Sequence, residues 1–104
     1  MPTGRPDPLA PLVTLPTPGR WLAAVTPLYA RHRLALGQIA TTAHDEALYL
    51  ILRTLDLPLD SGPDVLAHKL TAAERRKLAA VFRRRIVDRT PAAYLTREAW
   101  LGDR

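Results

Sequence analysis

The chain has 104 residues, 47% of them hydrophobic, with no cysteine and a formal net charge of +5. That length suits one small domain with a single core, and the missing cysteine excludes disulfides, thiolate zinc sites and cysteine nucleophiles, as expected of an intracellular protein. No apolar run approaches the roughly 20 residues of a membrane span, no apolar block follows Arg5 as a secretory signal needs, and the cationic excess favours anionic partners.

Leu and Ala dominate the apolar residues, and both are good helix formers. Six of the ten prolines fall within residues 1–18. Proline fixes φ and lacks an N–H, so residues 1–16 read as a disordered, extended leader. Thr17-Pro18 is a helix start, a capping hydroxyl followed by a residue tolerated in the first turn. Trp21, Leu22, Val25, Leu28, Tyr29 and His32 then follow at spacings of three and four, one apolar stripe. Pro27 sits inside that stripe and predicts a kink near residues 23–27 within one helix. The pattern fades at Leu36-Gly37.

Thr42 with Asp45 is a capping box carrying Asp in place of the usual Glu. The run DEALYLILRTL is apolar nearly all round, as suits the central helix of a bundle. Ala47, Leu48, Ile51, Leu52 and Leu55 share one face, with Tyr49 and Leu50 on the other. Turn residues over 56–63 close it, and a single helical turn is expected after Pro63. Thr71 with Glu74 is a full capping box, opening a helix from Ala72 to about Arg89 with Leu78, Val81, Phe82 and Ile86 inward. Thr90-Pro91 repeats the start signal, so PAAYL reads as a further short helix. The fold class is all-α, a bundle of four or five helices, organised as a leader (1–16), a helical domain (17–95) and the start of a linker (96–104).

Catalytic patterns are missing. His32, His44 and His68 lack metal-ligand spacing, and there is no phosphate loop or nucleophile elbow. Asp45 and Glu46 are adjacent and point about 100° apart on a helix, so they cannot pair as acid and base. The main surface signal is basic: Arg75, Arg76, Lys77, Arg83, Arg84 and Arg89 against Glu74 and Asp88. A solvated face with arginines complementing the helix dipole accounts for such a run. A docking patch for phosphates or carboxylates, with Arg75, Arg76, Arg83 and Arg84 as its contacts, accounts for it as well. Charge alone supports weak, salt-sensitive RNA contact without sequence preference. Arg85 differs, because its wheel position falls inside the apolar stripe and demands a partner. The candidates are backbone carbonyls around 90–94, the favoured choice, or the carboxylates of Asp45 and Glu46.

HDEALYLILRTLDLPLD, followed by LTAAERRKLAAVFRRRIVDRTPAAYLTREAW, resembles the N-terminal domain of protein (glutamine-N5) methyltransferases. The likeness is to the branch acting on large-subunit ribosomal protein uL3, and it covers roughly residues 18–101. The branch acting on peptide-chain release factors has a similar Arg-(five residues)-Pro-x-Ala-x-Leu-Thr ending, here Arg85 to Thr96. The resemblance implies a helical domain that docks the protein substrate, ribosomal protein or release factor. It also implies a catalytic domain in cis that binds S-adenosylmethionine through a Gly-rich loop and holds glutamine with Asn-Pro-Pro-Tyr. This chain contains no Asn. The expectation is therefore no cofactor and no catalysis in the chain itself, with the AYLTREAW segment, including Tyr94 and Trp100, leading toward the catalytic domain. Arg85, Tyr94 and Trp100 are then the structural or interdomain candidates. An autonomous Arg-rich domain that binds nucleic acid and a purely stabilising domain are the competing readings.

Overall fold

The computed structural model describes residues 8–36 and 40–95. These residues form three α-helices, α1 (Pro18–Arg31), α2 (Ala43–Thr54) and α3 (Ala72–Ile86), with 3-10 turns at Ala10–Thr14 before α1 and at Pro63–Ala67 between α2 and α3. A last helical turn occupies 92–95, and no strand occurs among the described residues. The all-α class follows the sequence: the single turn expected after Pro63 is present, and the short PAAYL helix is the turn at 92–95.

Each α-helix starts where a threonine caps it. The hydroxyls of Thr17, Thr42 and Thr71 accept hydrogen bonds from the N–H groups of Arg20, Asp45 and Glu74 at 3.3, 3.1 and 3.0 Å. Only the third cap is reciprocal, with Glu74 Oε1 accepting from Thr71 N–H at 2.9 Å. In the second, the shorter Asp45 side chain faces the ring of His44 at 3.4 Å. α1 runs as one helix through Pro27. Ala23, whose carbonyl Pro27 cannot satisfy, lies on the exposed side with Pro27 itself, where water can replace the lost bond.

The core is one cluster that takes residues from every element. Trp21 and Phe82 stack with ring centroids 6.4 Å apart. Trp21, Val25, Ile51, Leu78 and Phe82 are wholly buried. The buried face of α2 is rotated from expectation: Leu50, placed on the far side by the sequence pattern, is buried, and Leu48, Tyr49 and Leu55 are half-buried. An apolar run covering most of a helix does not fix which side faces inward.

Residues 1–7 of the expected leader lie outside the described residues. Its second half is not extended. Leu9 is 0% exposed in the core, and Leu12 and Leu15 pack against that core. Hydrogen bonds fasten the segment to the bundle: the Trp21 indole N–H donates to Leu15 O at 3.1 Å, and Leu70 N–H donates to Pro16 O at 2.9 Å. Prolines that bar an α-helix still allow a 3-10 turn with Pro at its start.

α1 and α2 end alike. Arg33 N–H bonds Ala30 O and Leu34 N–H bonds Tyr29 O, while Asp56 N–H bonds Arg53 O and Leu57 N–H bonds Leu52 O. These are Schellman closures with a left-handed residue, and Arg33 (φ 54°) and Asp56 (φ 60°) occupy the position that usually holds glycine. α3 stops at Ile86, short of the expected Arg89. Its chain widens as Val87 and Asp88 both donate to Arg83 O, and Arg89 turns left-handed at φ 62°.

Candidate docking surface

α3 separates its charges by face. On the inner side, Leu78, Ala79, Phe82, Arg85 and Ile86 are buried. On the outer side, Ala73, Arg76, Lys77, Ala80 and Arg83 are exposed and Arg84 is half-buried. At about 100° per residue, Arg76, Lys77, Arg83 and Arg84 fall within an arc of about 120°. Of the four expected contacts, Arg76, Arg83 and Arg84 therefore share a face, and Lys77 joins them. Arg75 does not: it points away, and its Nη1 donates to Leu70 O at 3.0 Å, holding the turn before the helix. The sequence pattern grouped Arg75 with these contacts because the bond to Leu70 O is invisible in it.

Arg85 sits 4% exposed and finds a carboxylate. Its Nε donates to Glu46 Oε2 at 2.6 Å and its Nη2 to Glu46 Oε1 at 3.3 Å, a forked pair with a wholly buried glutamate. The same Nη2 donates to Ala35 O at 2.6 Å. The guanidinium carbon also lies 5.4 Å from the Tyr29 ring centroid, within cation–π range. The favoured expectation, carbonyls around 90–94, is corrected. The partners are the alternative carboxylate and a carbonyl of the loop after α1, 50 residues away in sequence, which no local pattern reveals. Burial, with the Glu46 carboxylate beside it, raises the Tyr29 hydroxyl above the ordinary phenol range. That hydroxyl is buried and has no hydrogen-bond partner among the described residues.

Arg89 also reaches the loop after α1, its Nη2 donating to Arg33 O at 3.0 Å. Segment 33–35 is thus clasped by two arginines, Arg85 in the last turn of α3 and Arg89 just beyond it. Tyr94 lies 50% exposed on the 92–95 turn, flanked by buried Ala92 and Leu95. Trp100 lies outside the described residues. Asp45 is exposed where Glu46 is buried, the two pointing about 100° apart on the helix. Among the described residues, no three His, Cys, Asp or Glu side chains gather as metal ligands, and no helix is long and apolar enough to cross a membrane.

No family model matches the chain, and no solved structure matches it. Characterised proteins do. The chain is 51% identical over 70 residues to a "Ribosomal protein uL3 glutamine methyltransferase" of Neisseria gonorrhoeae, a match covering 67% of this chain and 23% of that protein. It is 47% identical over 73 residues to the protein of that name from Burkholderia pseudomallei, covering 70% of this chain and 24% of that protein. The Xanthomonas campestris pv. campestris protein of that name is 46% identical over 69 residues, covering 66% and 22%. The chain thus spans about a quarter of the relatives it matches. By this similarity the chain is a homologue of the N-terminal region of the ribosomal protein uL3 glutamine methyltransferases.

Proposed function

We propose that this chain is the substrate-docking domain of an S-adenosylmethionine-dependent protein-glutamine methyltransferase acting on a ribosomal protein in the cytoplasm. The similarity carries this reading: 51% identity over 70 residues, confined to 23% of a uL3 glutamine methyltransferase. Release factors are the substrate of the neighbouring branch. The names of the matched relatives favour the ribosomal one.

In this reading the chain supplies recognition, and the rest of the parent supplies the cofactor site and the chemistry. The sequence supports that division, because the glutamine-holding motif of the family begins with Asn and this chain has none. A separate docking domain adds binding energy remote from the reacting amide, which helps orient a large substrate.

The test uses this chain as a competitor. Excess chain added to a parent enzyme should raise the apparent Michaelis constant for the intact ribosomal protein. Methylation of a short glutamine peptide, held by the catalytic domain alone, should stay unchanged. Equal inhibition of both substrates, or of neither, overturns the docking role. Saturable micromolar S-adenosylmethionine binding by this chain in calorimetry overturns the division of labour.

A further inference from the structure

We propose that the outer strip of α3, Arg76, Lys77, Arg83 and Arg84, binds the phosphate backbone of RNA. The choice of ribosomal RNA among polyanions rests on the docking reading above; the binding itself does not.

The helix dipole does not account for the strip. Cations are favoured in the last turn of a helix, which covers Arg83 and Arg84, and not near its N-terminal end. Arg76 and Lys77 stand in the second turn of α3, five and six residues after the cap at Thr71. Local salt bridging does not account for them either. The positions three and four residues from Arg76 are Ala72, Ala73, Ala79 and Ala80. Lys77 has Glu74 three residues before it, but that carboxylate already accepts from Thr71 N–H at 2.9 Å and faces His68 Nε2 at 3.2 Å. The next acid along the sequence is Asp88, four residues after Arg84. The cations form two pairs seven residues apart, about 10.5 Å along the axis. Exposed Ala73 and Ala80 beside them leave the helix backbone open to close approach.

The partner's charge follows from the substrate's chemistry. A ribosomal protein holds RNA phosphates and therefore presents cations of its own. A chain of net charge +5 would repel it across a basic face. RNA that already carries the ribosomal protein reverses that sign. It offers the strip an anionic lattice beside the glutamine to be modified. Recognition would be of backbone rather than sequence. α3 has no Asn or Gln to meet base edges, and Phe82, its one aromatic residue, is wholly buried and cannot stack on a base.

The experiment is fluorescence anisotropy of a labelled RNA hairpin titrated with this chain from about 50 to about 200 mM salt. Neutralising phosphates with four cations gives an expected log–log salt slope of about −3. Changing Arg76, Lys77, Arg83 and Arg84 to Gln should weaken binding at least about tenfold and remove most of that slope. A charge-matched control, with Arg20, Arg31, Arg33 and Lys69 changed to Gln, should stay within about threefold. All four control residues are exposed, and none lies on α3. Circular dichroism checks folding of both sets. If the fourfold variant does not fold, Arg76→Gln with Lys77→Gln, both on the exposed face, should halve the slope. Equal losses in strip and control variants would show binding to net charge alone and overturn the proposal. So would absence of RNA binding at low salt, or strip-dependent binding of the free ribosomal protein without RNA. Docking measured by the competition assay can survive any of these outcomes, so the two readings fail separately.

Discussion

Phe82 and Arg85 stand less than one helical turn apart on the inner side of α3, and opposite chemistry surrounds them. Phe82 lies under Trp21 in a dry layer with Leu78 and Val25. Arg85 lies in a polar layer with Glu46, Ala35 O and the Tyr29 ring. The apolar layer is stabilised by area removed from water, a non-directional gain that falls off gradually as atoms are deleted. The polar layer holds two desolvated charges whose attraction is offset by the cost of taking them out of water. It adds little net stability when intact and costs much when halved. What it supplies is position: one guanidinium fixes α2 through Glu46 and the 33–36 loop through Ala35 O.

The largest expected effect tests that asymmetry. Glu46→Ala leaves Arg85 buried without its counter-charge and should cost about 3–5 kcal/mol in a urea titration. Arg85→Met should cost a similar amount by stranding Glu46. Combining Glu46→Leu with Arg85→Met should recover most of the loss, because replacing both charges with apolar groups is close to neutral. If the single changes cost less than about 1 kcal/mol, water reaches the pair and the layer is not dry. Additive losses in the double variant would show that the pair is not a coupled unit.

The next effect belongs to the apolar layer. Leu9 is 0% exposed, and Leu9→Ala should cost about 2–5 kcal/mol. An extended leader would make that change neutral, and deleting residues 2–15 harmless. With Leu9 and Leu12 in the packing, the deletion should lower the melting temperature by more than Leu9→Ala does. A melt unchanged by either alteration would remove this segment from the domain.

These two layers differ in how far the sequence disclosed them. The apolar stripe of α1, Trp21, Leu22, Val25, Leu28 and Tyr29, is legible because helical period and burial coincide, and all five are buried. Three helix starts are legible because a threonine cap is a local device. Arg85 is legible as a misfit and not as a pair, since its partner lies 39 residues away. Leu9 is hidden by the prolines around it, which speak about φ and not about burial. The outer strip of α3 emerges once Arg75 is seen bound to Leu70 O, a tertiary fact. The left-handed closures at Arg33, Asp56 and Arg89 carry no glycine signal at all.

A smaller effect separates the cap of α3 from the interior. The Thr71 backbone N–H donates to the Glu74 carboxylate, and the neighbouring His68 ring adds to that bond. Together they hold the carboxyl below its ordinary value of 4.5. A folded-state value below the unfolded one stabilises the native protein at pH above about 4.5, and that contribution is lost as pH falls through the folded value. Thermal melts between about pH 5 and about pH 3 should therefore decline more steeply for the wild type than for Glu74→Gln, which keeps an acceptor but cannot titrate. Parallel declines would place the acid sensitivity elsewhere.

The smallest effect concerns two helix ends that share a backbone conformation but not its consequences. Asp56 and Arg89 both sit at φ near 60°, where a side chain costs energy that glycine does not. No side-chain hydrogen bond of Asp56 is part of the closure of α2, which runs through backbone N–H groups to Arg53 O and Leu57 N–H to Leu52 O. Asp56→Gly should thus raise stability by about 0.5–1 kcal/mol. Arg89→Gly gains the same backbone relief but gives up the Nη2 bond to Arg33 O, worth about 1 kcal/mol. The two terms nearly cancel, and the melting temperature should stay close to that of the wild type. If Arg89→Gly stabilises as much as Asp56→Gly, the clasp on the 33–35 segment adds nothing, and Arg85 alone holds that loop to α3. If it destabilises well beyond that bond, both arginines are needed to keep the loop in place.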